Sequence, residues 1–81
     1  MERQEIKDRV VKVVARVLKT DPAQVREEHA FVADLGAESV QSIELMAGFE
    51  EEFDIEMDED EALGVKNVGD AVTFISRHLP A

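Results

Sequence analysis

Apolar side chains recur every three or four residues in three separate stretches of the chain, and this spacing constrains the fold more than any other feature. The stretches cover residues 2–18, 39–53 and 68–79. Each places a stripe of apolar residues along one face of an α-helix. The second stretch has a stripe at Leu45, Phe49 and Phe53 and a further apolar set on a neighbouring face at Val40, Ile43 and Ala47, which is either buried as well or docks a partner. The valines of the first stretch raise a strand alternative, but alternation by two fails at Val10-Val11 and Val13-Val14. The spacing therefore predicts three main helices.

The segments between these stretches contain turn signals. Pro22 ends the first helix at or before Asp21. No helical or strand period holds from there to Glu38, yet apolar residues are scattered through the segment, among them Val25, Ala30, Phe31, Val32 and Leu35. This predicts a long loop that packs across the core.

A short helical turn is predicted over Glu59 to Leu63, with Gly64 as its C-terminal cap. Asn67 is a predicted N-cap of the last helix, and Pro80 is expected to end that helix. The fold class is therefore all-α, a small four-helix bundle with three main helices, one short helix and a long first loop. With 81 residues and no cysteine, residues 1–81 are expected to form one domain without disulfides.

The charge is unevenly distributed and excludes several classes of partner. The formal net charge is −10, and residues 27–65 contain fourteen acidic residues and no Lys or Arg. Such a chain lacks the cations that neutralise nucleic-acid phosphates, and an anionic membrane surface would repel it. No stretch approaches the length of a membrane span, and the first residues lack an apolar signal core, so we expect a cytoplasmic protein without membrane insertion.

Catalytic and metal-site motifs are not found. The two histidines, His29 and His78, form no ligand motif. A calcium-loop interpretation that begins at Asp54 fails, because Glu59 stands where glycine is needed and Val65 where glutamate is needed. We therefore expect no enzyme and no specific metal site, only weak, delocalised binding of divalent ions.

The segment Asp34-Leu35-Gly36-Ala37-Glu38-Ser39-Val40 is the most informative part of the chain. Ser39 lies where a glycine-containing loop turns into an acidic amphipathic helix. Free N–H groups and a partial positive charge at a helix N-terminus would stabilise a phosphate on this serine. From position alone, an ordinary N-cap serine is the favoured explanation, because serine is a preferred cap residue.

The run DLGAESVQSIELMAGFEEEFDIEM resembles the prosthetic-group segment of acyl carrier proteins, in which a DLGxDSL motif precedes a helix and an EEEF run. The similarity extends from about Glu5 to Leu79 and includes an Ala-Phe-Val before the motif and a closing Ile-x-x-His-Leu. Glu38 stands where the family usually has Asp, and Val40 where it usually has Leu. Leu63 and Gly64 lie where family members tend to be polar, which favours a specialised carrier beside the general fatty-acid one.

The resemblance implies a mechanism without catalysis. A phosphopantetheinyl transferase would attach 4′-phosphopantetheine to Ser39, and the terminal thiol of that arm would carry acyl groups as thioesters between enzymes. The acidic helix after Ser39 would dock, as a monomer, on basic patches of those enzymes. The docking residues expected from the resemblance are Asp34, Glu38, Val40, Ile43, Glu44, Ala47, Glu50 and Glu51.

Three functions remain open at the level of sequence. A carrier of fatty or polyketide acyl chains is the first. A carrier of aminoacyl groups, of the peptidyl or D-alanyl type, is the second, and the charge of −10 argues against it. An acidic interaction module that is never modified is the third, and the intact Ser39 argues against it.

Overall fold

A computed structural model of the chain describes residues 1–79. Within that range it contains four α-helices: α1 is Arg3–Leu18, α2 is Ser39–Phe53, α3 is Glu59–Leu63 and α4 is Val68–His78. A single 3-10 turn, Pro22–Gln24, interrupts the long loop between α1 and α2. The predicted all-α bundle with three main helices, one short helix and a long first loop is confirmed.

Local chemistry accounts for where the helices begin and end. Lys19 and Asp54 follow α1 and α2 in the left-handed conformation, with φ of 55° and 53°, and their N–H groups bond back into the last helical turn. Asn67 caps α4 as predicted, because its Oδ1 accepts the N–H of Asp70 at 2.7 Å. The predicted end of this helix at Pro80 lies outside the described residues.

The core forms where α1, α2 and α4 face one another. Its helical residues are fully or almost fully buried: Ile6, Val10, Val13 and Val14 from α1, Leu45, Phe49 and Phe53 from α2, and Val68, Ala71, Val72 and Ile75 from α4. Gly48 allows α1 and α2 to approach closely, since a Cβ at this position would lie 2.7 Å from Val13 Cγ1.

The long first loop packs across the core, as the sequence predicts. Val25 and Phe31 are buried, and the Phe31 ring lies 6.2 Å from that of Phe49 between centroids. The Phe31 N–H donates to Lys66 O at 3.0 Å and the Val68 N–H donates to His29 O at 3.0 Å, which fixes the loop to the start of α4.

The expectation for Val32 is wrong. The sequence placed it among the apolar residues that pack across the core, but its side chain is 63% exposed. The reason is the tight turn that follows Phe31, which buries one side chain and directs the next one outward.

Candidate functional site

The segment that leads into α2 is a compact turn wound on its own backbone. Asp34 bonds to Ala30 twice, because its N–H donates to Ala30 O at 3.1 Å and its Oδ2 accepts the Ala30 N–H at 2.7 Å. The Ala37 N–H donates to Phe31 O at 2.8 Å. Between them Gly36 adopts φ of 71°, a conformation that glycine reaches without steric cost. The turn therefore fixes the point and direction at which α2 begins.

Ser39 is the first residue of α2 and is exposed. The N-cap is Glu38, whose N–H donates to Gln41 Oε1 at 2.8 Å and whose carbonyl accepts the Ser42 N–H at 2.9 Å. The ordinary N-cap role considered for Ser39 thus falls to its neighbour. The first N–H groups of a helix lack intrahelical partners, so a phosphate on the Ser39 hydroxyl would lie at the positive end of α2. The residues present therefore fit a phosphate-linked group.

An apolar groove of about 810 Å³ begins one helical turn beyond Ser39. It lies between the first loop, α2, α3 and the segment before α4. The lining residues are Ala30, Phe31, Val32, Ala33, Ser42, Ile43, Met46, Ala47, Glu50, Glu59, Ala62, Leu63, Val65 and Lys66. The groove borders the core, because Phe31 and Val65 are buried core residues that also line it, whereas Leu45 and Phe49 lie fully inside the core.

Four exposed apolar side chains lie around the groove and along the start of α2. Val32, Ile43 and Leu63 are 63%, 71% and 70% exposed and line the groove, and Val40 is 65% exposed near Ser39. Ala47 is also exposed. The second apolar face of α2, which the sequence shows as Val40, Ile43 and Ala47, is therefore a surface and not a part of the core.

Sequence reasoning did not identify Met46, Ala62 or Val32 as lining residues. Met46 alone carried a signal, since it lies three residues after Ile43 on the same face of α2. Nothing in the sequence places Val32 or Ala62 opposite that face, because they come from other elements.

The three consecutive glutamates at the end of α2 have three different environments. Glu50 is half-buried, and its Oε2 accepts the Met57 N–H at 3.0 Å. Glu51 is exposed, and so is Glu44, which lies about two helical turns earlier on the same side of α2. Glu52 pairs with Arg9 across the α1–α2 interface, with Nε–Oε2 at 2.7 Å, and the hydrogen bond from Arg9 lowers the pKa of the Glu52 carboxyl.

Two further features bear on function. None of the helices within residues 1–79 combines the length and the apolar composition of a membrane span. In the same range, no group of three or more His, Cys, Asp or Glu side chains is arranged to hold a metal ion.

Comparison with known proteins identifies the type of site. The family described as "Phosphopantetheine attachment site" matches residues 8–75. An acyl carrier protein of Phenylobacterium zucineum is 47% identical over 77 residues, which cover 95% of this chain and 98% of the relative. The acyl carrier proteins of two strains of Caulobacter vibrioides are each 49% identical over 72 residues, which cover 89% of this chain and 92% of theirs.

The chain belongs to the acyl carrier protein family. The family assignment suggested by the DLGAESV segment is thereby confirmed, and phosphopantetheine is the prosthetic group of the family. Acyl carrier proteins carry their cargo between enzymes and do not catalyse, so the prediction of a non-enzymatic carrier is also confirmed.

Proposed function

We propose that this acyl carrier protein receives 4′-phosphopantetheine on Ser39 and delivers acyl groups to enzymes of fatty-acid, lipid or polyketide synthesis. The observation that carries the proposal is the position of Ser39. It is exposed, it is the first residue of α2, and it lies one turn from the end of an apolar groove. Ser42, the nearest alternative hydroxyl, is half-buried inside the helix and lines the groove.

When bound, the arm supplies a terminal thiol on which an acyl group is held as a thioester. The residues of the chain supply the rest. The N-terminus of α2 stabilises the negative charge of the phosphate, and the turn closed by Asp34 and Ala37 keeps Ser39 at the surface, where a transferase reaches it.

The groove supplies shelter for an apolar chain. Each methylene group that it removes from water contributes about 0.8 kcal/mol. Met46, Ala62 and Leu63 offer apolar surface on two sides of it. A cargo with an apolar tail fits this surface better than a polar aminoacyl group, which favours the fatty or polyketide acyl carrier over the aminoacyl one.

The exposed face of α2 supports docking on basic enzymes. Val40, Ile43 and Ala47 give apolar contact area, and the exposed carboxylates of Glu44 and Glu51 lie on the same helix. Carboxylates at the edge of an apolar patch steer basic partners into place. The partners proposed here are the phosphopantetheinyl transferase and acyl-transferring and elongating enzymes with basic patches. The proposed docking residues of this chain also include Asp34, Glu38 and Glu50.

The test is modification by phosphopantetheinyl transferases with coenzyme A, followed by intact-mass measurement. Wild type is expected to gain one arm and only one. Ser39→Ala should abolish the mass shift and keep the helical circular dichroism spectrum. Ser42→Ala is the matched control and should be modified like wild type, because its hydroxyl is not at the helix terminus.

A panel of transferases is needed, because Glu38 and Val40 flank Ser39 in place of the usual Asp and Leu. Protein purified from its own host gives the second readout, since the mass of an attached acyl group identifies the cargo class. An aminoacyl mass there would establish the aminoacyl carrier. Wild type that no transferase modifies, and that is unmodified in its host, would establish the unmodified interaction module instead.

A further inference from the structure

Leu63 is the large apolar side chain of α3, and the fold does not bury it. It is 70% exposed, whereas the rest of the helix consists of three exposed carboxylates and the half-buried Ala62. Within residues 1–79, Leu63 belongs neither to the buried core nor to the apolar residues packed against that core. Its apolar surface therefore adds nothing to the packing that holds α3 in place.

A single exposed leucine is ordinary, but Leu63 is one of three such side chains around the same groove. Val32 from the first loop and Ile43 from α2 are 63% and 71% exposed, and both line the groove together with Leu63. Three elements of the fold thus each contribute one exposed apolar side chain to the rim of one concave surface.

Backbone hydrogen bonds place the Leu63 part of this rim at the end of the groove near Ser39. The Phe31 N–H donates to the carbonyl of the residue three positions after Leu63, at 3.0 Å. The carbonyl of Phe31 accepts the N–H of Ala37, two residues before Ser39, at 2.8 Å. The opposite end of the groove is at Glu50, eleven residues and about 16 Å further along α2. A chain tethered to Ser39 therefore passes Leu63 as it enters.

We infer that Leu63 is a specificity-determining residue, which makes the groove retain cargo with an alkyl chain of several carbons in preference to short acyl groups such as acetyl. An alkyl chain in the groove covers Leu63 together with Val32 and Ile43, so apolar surface of both cargo and protein leaves the water. An acetyl group has one methyl group to place there. The inference rests on the proposed function, because the cargo enters from an arm on Ser39.

A partner enzyme is the other candidate to cover this surface. The geometry favours the cargo, because Leu63 borders a concave groove that is continuous with the attachment site. Val40, by contrast, is 65% exposed beside Ser39 and lies outside the groove, as a side chain that meets only a partner does. A measurement made without any partner separates the two occupants.

The test compares the melting temperatures of the full chain with an acetyl and with a decanoyl arm, each loaded by a transferase from the corresponding coenzyme A thioester. Wild type should melt at a higher temperature with decanoyl than with acetyl. In Leu63→Gln this difference should shrink by about 4–8 °C, because the burial of most of one leucine side chain is lost in a domain of this size.

Two variants serve as controls. Leu63→Met keeps an apolar side chain of similar volume and should restore the wild-type difference between the two arms. Asp60→Asn changes an exposed residue of the same helix that does not line the groove, and it should also behave like wild type. Leucine and glutamine have similar helix propensity, so unloaded Leu63→Gln should keep the circular dichroism spectrum of wild type.

An equal difference between the two arms in wild type and Leu63→Gln would overturn the inference. A loss as large in Leu63→Met as in Leu63→Gln would overturn it as well, since methionine keeps the apolar surface.

Where no transferase loads Ser39, the proposed function fails and a second measurement decides the inference separately. The probe is 1-hexanol, titrated into the unmodified chain and followed by the methyl NMR signals of Val32 and Ile43. These signals should shift in wild type, and the dissociation constant should rise at least about threefold in Leu63→Gln. No shift in wild type, or the same dissociation constant in both proteins, would overturn the inference.

Discussion

Replacement of Phe49 by alanine tests the assignment of the two faces of α2. The Phe49 side chain is not exposed at all, and its ring packs 6.2 Å from Phe31 at an interplanar angle of 42°. Removal of a buried phenyl ring costs about 3–5 kcal/mol, from lost burial and from the cavity left behind. The loss of the aromatic pair places this variant toward the upper end of that range. A domain of 81 residues has a free energy of unfolding of roughly 4–12 kcal/mol, so the loss approaches the whole stability.

Ala47→Ser is the matched control on the opposite face. Ala47 is exposed, so its replacement changes only helix propensity, which is less than about 0.7 kcal/mol for ordinary residues. Phe49→Leu gives an intermediate case that keeps most of the apolar volume, and it secures a measurable folded state where the alanine variant unfolds.

The assay is urea unfolding followed by far-ultraviolet circular dichroism, because the chain has no Trp or Tyr to serve as a fluorescent probe. With an m-value of about 1 kcal/mol/M, the Phe49→Ala midpoint should fall by about 3–5 M, or the variant should be unfolded in water. The Ala47→Ser midpoint should move by less than about 0.7 M. Similar midpoint shifts in Phe49→Ala and Ala47→Ser would show that the assignment of a buried and an exposed face to α2 is wrong.

Three further predictions concern charge. Millimolar Mg²⁺ or Ca²⁺, and added salt, should raise the melting temperature, because fourteen acidic residues between 27 and 65 repel one another; a melt indifferent to both would contradict this. Glu44→Lys should weaken transferase docking by about 1 kcal/mol or more and make docking less dependent on salt. Glu5→Lys on α1 is the control and should change neither the docking nor its salt dependence. Steady-state kinetics of the transferase at several ionic strengths measure both effects. Arg9 lowers the pKa of Glu52, so the ion pair stabilises the fold above about pH 4, and this contribution is lost as the pH falls through the lowered pKa. The difference in melting temperature between wild type and Glu52→Gln should therefore shrink with acidification. A difference that stays constant with pH would exclude the ion pair as its source.

The sequence alone determined which stretches form helices and the bounds of α2 and α3. The apolar stripe of Leu45, Phe49 and Phe53 has a local period, and Ser39 and Phe53 are the first and last residues of α2 in the structure. Asn67 was identified as an N-cap for the same reason, since capping depends on residues three or four positions apart. The family and its prosthetic group also followed from a local motif.

Only the tertiary structure decided how individual side chains are used. Glu50, Glu51 and Glu52 are identical and consecutive, yet one tethers the next segment, one is exposed and one pairs with α1, because successive helical residues point about 100° apart toward different neighbours. Val32 lines the groove and not the core because the turn that follows Phe31 directs it outward. The groove is lined by the first loop, α2, α3 and the segment before α4, and no local sequence pattern predicts which of these elements meet. Periodicity specifies a helix; contacts between distant parts of the chain specify what each face of it does.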